Sequence, residues 1–182
     1  LFKPDRVTKL VLADTLPSFK SDTSRRQLLL WSRLLIMHLL GPEALTKRSA
    51  WQMFPKPEQG ALRELIIQRN PCTSKSTYLA LLKSLSKWSV ADRLNWLVMP
   101  VFVVAGEHDY FRPEEAQAFA DRLPDGHCRI IEGAHHHLPL EMSEDFNRIT
   151  MQFLMPGNQI MTSRRDAGLN WLRMDPAAQR KI

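Results

Sequence analysis

Three consecutive histidines, His135, His136 and His137, follow a glycine in the stretch EGAHHHLPLE from Glu132 to Glu141. Packing alone rarely gathers several imidazoles at the mouth of a strand. An imidazole titrates near neutral pH, so it can act as a general base or ligate a metal. To activate a Ser or Cys nucleophile it needs a carboxylate beside it, which fixes the tautomer and stabilises the imidazolium. Asp109 is the candidate partner. It follows the apolar run VFVVAGEH, and His136 follows RIIEGAH. Each run reads as a buried strand, and adjacent parallel strands bring their terminal loops side by side. Taken singly, Asp109 reads equally well as a turn or helix cap, and His136 as a surface or core histidine. Their shared placement at strand ends favours chemistry.

A metal is the competing reading. His108, Asp109, Glu132, His135, His136 and His137 all carry donor atoms. Neighbouring histidines in an extended loop point in different directions, however, so three in a row rarely ligate one ion. The chain also has no H-E-x-x-H motif and no Cys/His spacing of the zinc type. No metal and no cofactor is expected. His135 and His137 read as pocket lining or as polar loop residues.

The elements that position these groups form an alternating pattern. VTKLVLADT (Val7 to Thr15) reads as a buried strand of a parallel sheet, PVFVVAGEHD (Pro100 to Asp109) as a second, ended by Gly106, and HCRIIEGAHH (His127 to His136) holds a third, shorter one, ended by Gly133. RPEEAQAFADRL reads as a helix with Pro113 in its first turn, followed by Glu114 and Glu115. SEDFNRITMQFL reads as another, with Ser143 as N-cap and Phe146, Ile149 and Phe153 on one face. Strand, helix, strand, helix in this order is a βαβ arrangement with right-handed crossovers.

Between the first two strands, residues 18–97 form an insert far longer than the roughly dozen residues a crossover needs. It reads as helices over Leu28–Leu40, Pro42–Phe54, Glu58–Arg69 and Ser76–Trp88, with a short one through Ala91–Leu97. These could simply cover the sheet. A lid over a pocket is favoured by the apolar content of the insert, including Trp31, Met37, Trp51, Met53 and Phe54. After Met155 the pattern fades into a basic tail, residues 156–182, read as partly disordered with one helical turn near Leu169–Met174.

Composition sets outer limits. The chain has 182 residues, 44% hydrophobic and 24% charged, which suits one domain with a real core. The longest apolar run, Leu28–Leu40, carries Arg33 and His38 and is too short to span a membrane. Half of the +6 net charge comes from the tail, and no aromatic–basic interleaving appears, so nucleic acid is not an expected partner. Cys72 and Cys128 read as two reduced thiols rather than a disulfide framework. With no charged leader or cleavage pattern visible, the expected location is the cytoplasm.

On these motifs the sequence resembles the α/β-hydrolases. Gly106-Glu107-His108-Asp109 matches the family's G-x-x-D, with Pro113 following. Gly133-Ala134-His135-His136 matches its G-x-x-H, with Leu140-Glu141 downstream. The resemblance implies Asp109 as triad acid and His136 as triad base. His135 stands where the family has glycine, and His137 where it often has an aromatic residue. VTKLVLADT resembles the strand after the nucleophile helix, and residues 18–97 occupy the cap position. The likeness runs from Leu1 to about Met155. The departure concerns the nucleophile, which the family carries in G-x-S-x-G. None of the seven glycines flanks a serine in that pattern, and neither cysteine sits in a strand-to-helix elbow.

The implied fold is α/β, a remnant of about three parallel strands with flanking helices and an inserted helical cap. The implied activity is hydrolysis of an ester or similar acyl substrate with an apolar portion. The serine nucleophile would come from a missing N-terminal segment of the same fold, leaving this chain inactive by itself. A non-catalytic remnant or interaction module, self-associating through its exposed first strand, is the alternative.

Overall fold

The computed structural model describes residues 6–20, 23–69 and 74–155. Its strands are β1 (Leu10–Ala13), β2 (Val101–Gly106) and β3 (Gly126–Ile131), all parallel and in the order β1-β2-β3. Leu10 pairs with Val101, and Val101 with Gly126. β2 ends at Gly106, where the sequence reading places its end, whereas β1 is shorter than the run Val7–Thr15 and β3 stops two residues before Gly133.

Every residue of the central strand β2 is buried. Its side chains alternate between two cores, as a strand covered on both faces requires. Val101, Val103 and Ala105 pack with Ala116, Phe119 and Ala120 of α5 (Pro113–Asp121). Phe102 and Val104 pack with Ile149 and Phe153 of α7 (Ser143–Leu154). Full burial of such a side chain stabilises by ~1.5–3 kcal/mol, so β2 is the anchor of the fold. The edge strand β1 follows the same alternation, Leu10 and Leu12 on the first core and Val11 on the second.

The insert folds as α1 (Ser24–Leu39), α2 (Gly41–Met53), α3 (Gly60–Arg69) and α4 (Lys75–Leu85). Thr23 opens α1, its side chain accepting from the Arg26 amide at 3.3 Å. Ser74 does the same for α4, from the Thr77 amide at 3.1 Å. Leu40 caps both α1 and α2, and Gly41, at φ +82°, takes the left-handed turn between them. The insert leaves and rejoins the sheet through one neck. There Phe19 N–H donates to Trp88 O at 3.1 Å and Val90 N–H to Pro17 O at 2.8 Å.

Two local expectations are corrected. Ala91–Leu97 forms a single 3₁₀ turn, Leu94–Trp96, rather than a short helix. Ser143 is the first residue of α7 and not its cap. Met142 serves as the shared boundary with α6 (Leu138–Glu141), leaving no room for Ser143 outside the helix. Cys128 is a free thiol, and burial pushes it up to about 11, so it stays protonated at neutral pH. Cys72, the basic tail and the turn expected near residues 169–174 lie outside the described residues. No helix among the described residues is long and apolar enough to cross a membrane.

Candidate active site

The loops after β2 and β3 lie directly against each other, and glycine makes this possible. A Cβ on Gly106 would stand 2.5 Å from Ala134 O and 2.6 Å from His135 O. Backbone bonds then stitch the loops together. Glu107 N–H donates to Ile131 O at 3.0 Å, and His108 N–H to Ala134 O at 2.8 Å. The Glu107 carboxylate accepts from Gly133 N–H at 2.9 Å, where Gly133 turns the chain at φ +66°. The outcome is a 2.8 Å contact between Asp109 Oδ1 and His136 Nδ1. The Asp109 side chain is fully enclosed, whereas that of His136 keeps 26% of its surface open. With Nδ1–H donated to the carboxylate, Nε2 is the nitrogen left to take a proton. The ring of Tyr110 lies 4.7 Å from that of His136.

A third strand end contributes a residue that the sequence reading passed over. Asp14, immediately after β1, accepts from His137 N–H at 3.0 Å and Leu138 N–H at 2.9 Å. Donor atoms of Asp14, Asp109 and His136 all lie within 4.8 Å of one another. Burial pushes the Asp14 carboxyl up to about 6, and the nearby Asp109 charge acts in the same direction. The signal was available in LVLAD, an apolar run ending in an aspartate as VFVVAGEHD does.

The neighbouring histidines go separate ways. Glu141, its side chain 1% exposed, accepts from His135 N–H at 2.6 Å and faces His135 Nδ1 at 2.9 Å. The same carboxylate accepts from Gln59 Nε2 at 2.8 Å, joining the insert to this loop. His135 thus serves a buried structural network. His137 faces the cavity, and burial lowers its pKa, with the His136 charge adding to the effect. His108 pairs with Glu107 at 3.8 Å, and Glu132 is exposed. Of the six groups weighed as metal ligands, only Asp109 and His136 converge, and they do so at hydrogen-bond distance.

A cavity of about 780 Å³ opens over His136. The sheet side contributes Asp14, Tyr110, Phe111, His136 and His137, and the insert contributes Leu29, Leu30, Arg33, Met53, Tyr78, Leu82 and Leu85. Of the apolar residues expected to line a lid, Met53 does so. Met37 and Phe54 are buried in the packing, and Trp31 and Trp51 face solvent at 68% and 57% exposure. Arg33 is the unusual wall residue. Its guanidinium donates to Tyr78 OH at 3.3 Å and lies over the Tyr110 ring at 5.4 Å, and no carboxylate among the described residues pairs with it.

No family model matches the chain. Over 93 residues, 50% of the chain, it is 32% identical to the 2-hydroxy-6-oxo-6-phenylhexa-2,4-dienoate hydrolase of Burkholderia cepacia, spanning 32% of that protein. Among solved structures, the enol-lactonase from Burkholderia xenovorans LB400 aligns with a TM-score of 0.68 at 18% identity. That alignment covers 82% of this chain and 57% of the enol-lactonase chain. MenH from S. aureus aligns at 0.65 and 20% identity, over 81% of this chain and 59% of its own. In sequence over half its length, and in fold over most of it, the chain is similar to these hydrolases. Its three parallel strands with flanking helices form a partial α/β-hydrolase fold. The chain spans about a third of the curated relative and somewhat over half of the two solved structures.

Proposed function

We propose that the chain supplies the acid and base of a serine hydrolase triad, Asp109 and His136, under a helical cap formed by residues 18–97. The observation that carries this is the enclosed 2.8 Å Asp109–His136 contact at the wall of a largely apolar cavity. The 182 residues hold no serine in G-x-S-x-G, so the nucleophile in this reading comes from sequence outside them. His136 Nε2 takes the proton of that serine as its oxygen attacks the substrate carbonyl. It then gives the proton to the leaving group, producing an acyl-enzyme. Water, deprotonated by the same nitrogen, releases the acid and restores the serine. Asp109 stays ionised and stabilises the imidazolium.

The substrate is an acyl compound with an apolar body and a carboxylate. Leucine side chains suit the body, and the Arg33 guanidinium, bonded to Tyr78 and paired with no carboxylate among the described residues, suits the anion. The Burkholderia cepacia relative is named for a substrate with both parts, a phenyl group and a dienoate.

The test is turnover of carboxylate-bearing esters by protein that includes the nucleophile segment. His136→Ala and Asp109→Asn are each expected to lower kcat by roughly 10³-fold or more, and His135→Ala far less. Equal damage from His135→Ala and His136→Ala would refute the assignment of the base. Saturable hydrolysis by the 182 residues alone, sensitive to serine reagents, would refute the external nucleophile.

A further inference from the structure

Beyond the acid–base pair, the loop that carries His136 is held by a carboxylate at the end of the sheet's other edge strand, β1. His137 has φ +88°, a left-handed backbone that a histidine seldom adopts. Asp14 is itself left-handed, at φ +51°. From that position one oxygen, Oδ2, receives the amides of both His137 and Leu138, at 3.0 and 2.9 Å. Its other oxygen, Oδ1, is buried and has no hydrogen-bond partner among the described residues. His136 is therefore fixed twice. Asp109 holds its imidazole, and Asp14 holds the peptides that follow it.

We propose that Asp14 is a positioning residue for the base, acting through the backbone amides of residues 137 and 138 to set the direction of the His136 imidazole. The proposal rests on the reading of His136 as base. With the acceptor removed, nothing among these contacts keeps His137 left-handed. Relaxation to the ordinary negative φ turns the peptide next to His136 and moves its ring away from Asp109. A second carboxylate serving directly as a partner of the imidazole would behave differently. It would need its charge, whereas an amide acceptor needs only an oxygen in place.

Two substitutions separate these roles. Asp14→Asn keeps an oxygen acceptor and tolerates the left-handed backbone. Asp14→Gly keeps the backbone conformation at no steric cost and removes the acceptor. The first readout is the downfield Nδ1–H proton of His136 in the NMR spectrum, which reports the Asp109 contact without any turnover. It is expected to persist in Asp14→Asn and to broaden or vanish in Asp14→Gly. In protein bearing the nucleophile, Asp14→Gly should lower kcat by about 10²-fold, the cost of a misplaced catalytic group, with KM little changed. Asp14→Asn should retain most of kcat and the pH profile.

A sharp His136 proton and full kcat in Asp14→Gly would overturn the proposal. So would an Asp14→Asn variant as damaged as Asp14→Gly, since that result would assign the role to charge. A wild-type spectrum with no such proton would overturn the base reading itself, and this inference with it. Should Asp14→Gly lack a cooperative unfolding transition, the Asp14→Asn arm still decides between acceptor and charge.

Discussion

The strand-end loops and the helical insert face each other across the cavity, and different forces fix them. On the sheet side, the loops after β2 and β3 are joined by main-chain bonds at 2.8 and 3.0 Å, with a glycine at the point of closest approach. On the insert side, the ties to the rest of the fold run largely through side chains. Arg26 pairs with Glu115 at 2.7 Å, and Gln59 donates to Glu141 at 2.8 Å. Along α1, Leu28, Trp31, Leu35 and Leu39 face outward at 60–72% exposure. A main-chain ladder admits one register, whereas long side chains can adjust. The groups proposed to do the chemistry are thus on the rigid wall, and the groups proposed to choose the substrate are on the adaptable one.

The sharpest challenge to this contrast is a single methyl group on the rigid wall. Gly106→Ala places a Cβ against two backbone carbonyls, Ala134 O and His135 O, neither of which is the end of a flexible side chain. A destabilisation of about 2–3 kcal/mol is expected, together with loss of the Asp109–His136 contact. Urea unfolding measures the first effect, and the His136 Nδ1–H signal the second. Alanine at Gly60 in the insert, where the nearest atom is the tip of Arg63 at 3.7 Å, should cost little by comparison. Equal costs at the two glycines would abolish the distinction between the walls.

The adaptable wall is tested at Arg33. A charge-assisted hydrogen bond contributes roughly 1.5–3 kcal/mol, so Arg33→Ala should lower kcat/KM for a carboxylate-bearing ester by about 10- to 10²-fold. The corresponding neutral methyl ester should be nearly unaffected. Arg33→Lys should restore only part of the loss, because an ammonium lacks the planar fork. A uniform fall for both esters would mean that Arg33 supports the insert and does not select the substrate.

What the sequence made legible follows the same division. The three strands and the proximity of Asp109 and His136 could be read because each apolar run ends in a short polar loop, with glycine before the candidate residue in two of the three. Asp14 ends the third run and was passed over because no glycine marks its turn. Its left-handed backbone, at φ +51°, is carried by the aspartate itself. Arg33, Tyr78 and Tyr110 could not be read as a group. They come from α1, α4 and the β2 loop, and only the packing of the insert over the sheet brings them to one cavity. The outward turn of Trp31 and Trp51 has the same cause. Apolar content reveals that a helix packs somewhere, but not which of its residues face the cavity.

The smallest expected effect concerns the charge buried at Asp14. Its folded pKa, about 6, lies above the ordinary value of 3.8, chiefly because burial disfavours the ionised form. The folded state therefore holds this proton more tightly than the unfolded state does. The corresponding stabilisation is fully present below about pH 4 and is lost as pH rises through about 6. Above that range the protein holds a partly desolvated charge that costs stability. Asn at this position keeps an acceptor and has no charge to bury. Relative to wild type, Asp14→Asn should thus gain stability between pH 4 and pH 7.5, by on the order of 1 kcal/mol once solvent screening of this partly open group is allowed for. Unfolding midpoints of both proteins at the two pH values give the difference directly, because titrations elsewhere in the fold are common to both. A difference that does not change with pH would mean that the Asp14 charge is solvated. It would also remove the one respect in which the rigid wall is less stable than its bonding requires.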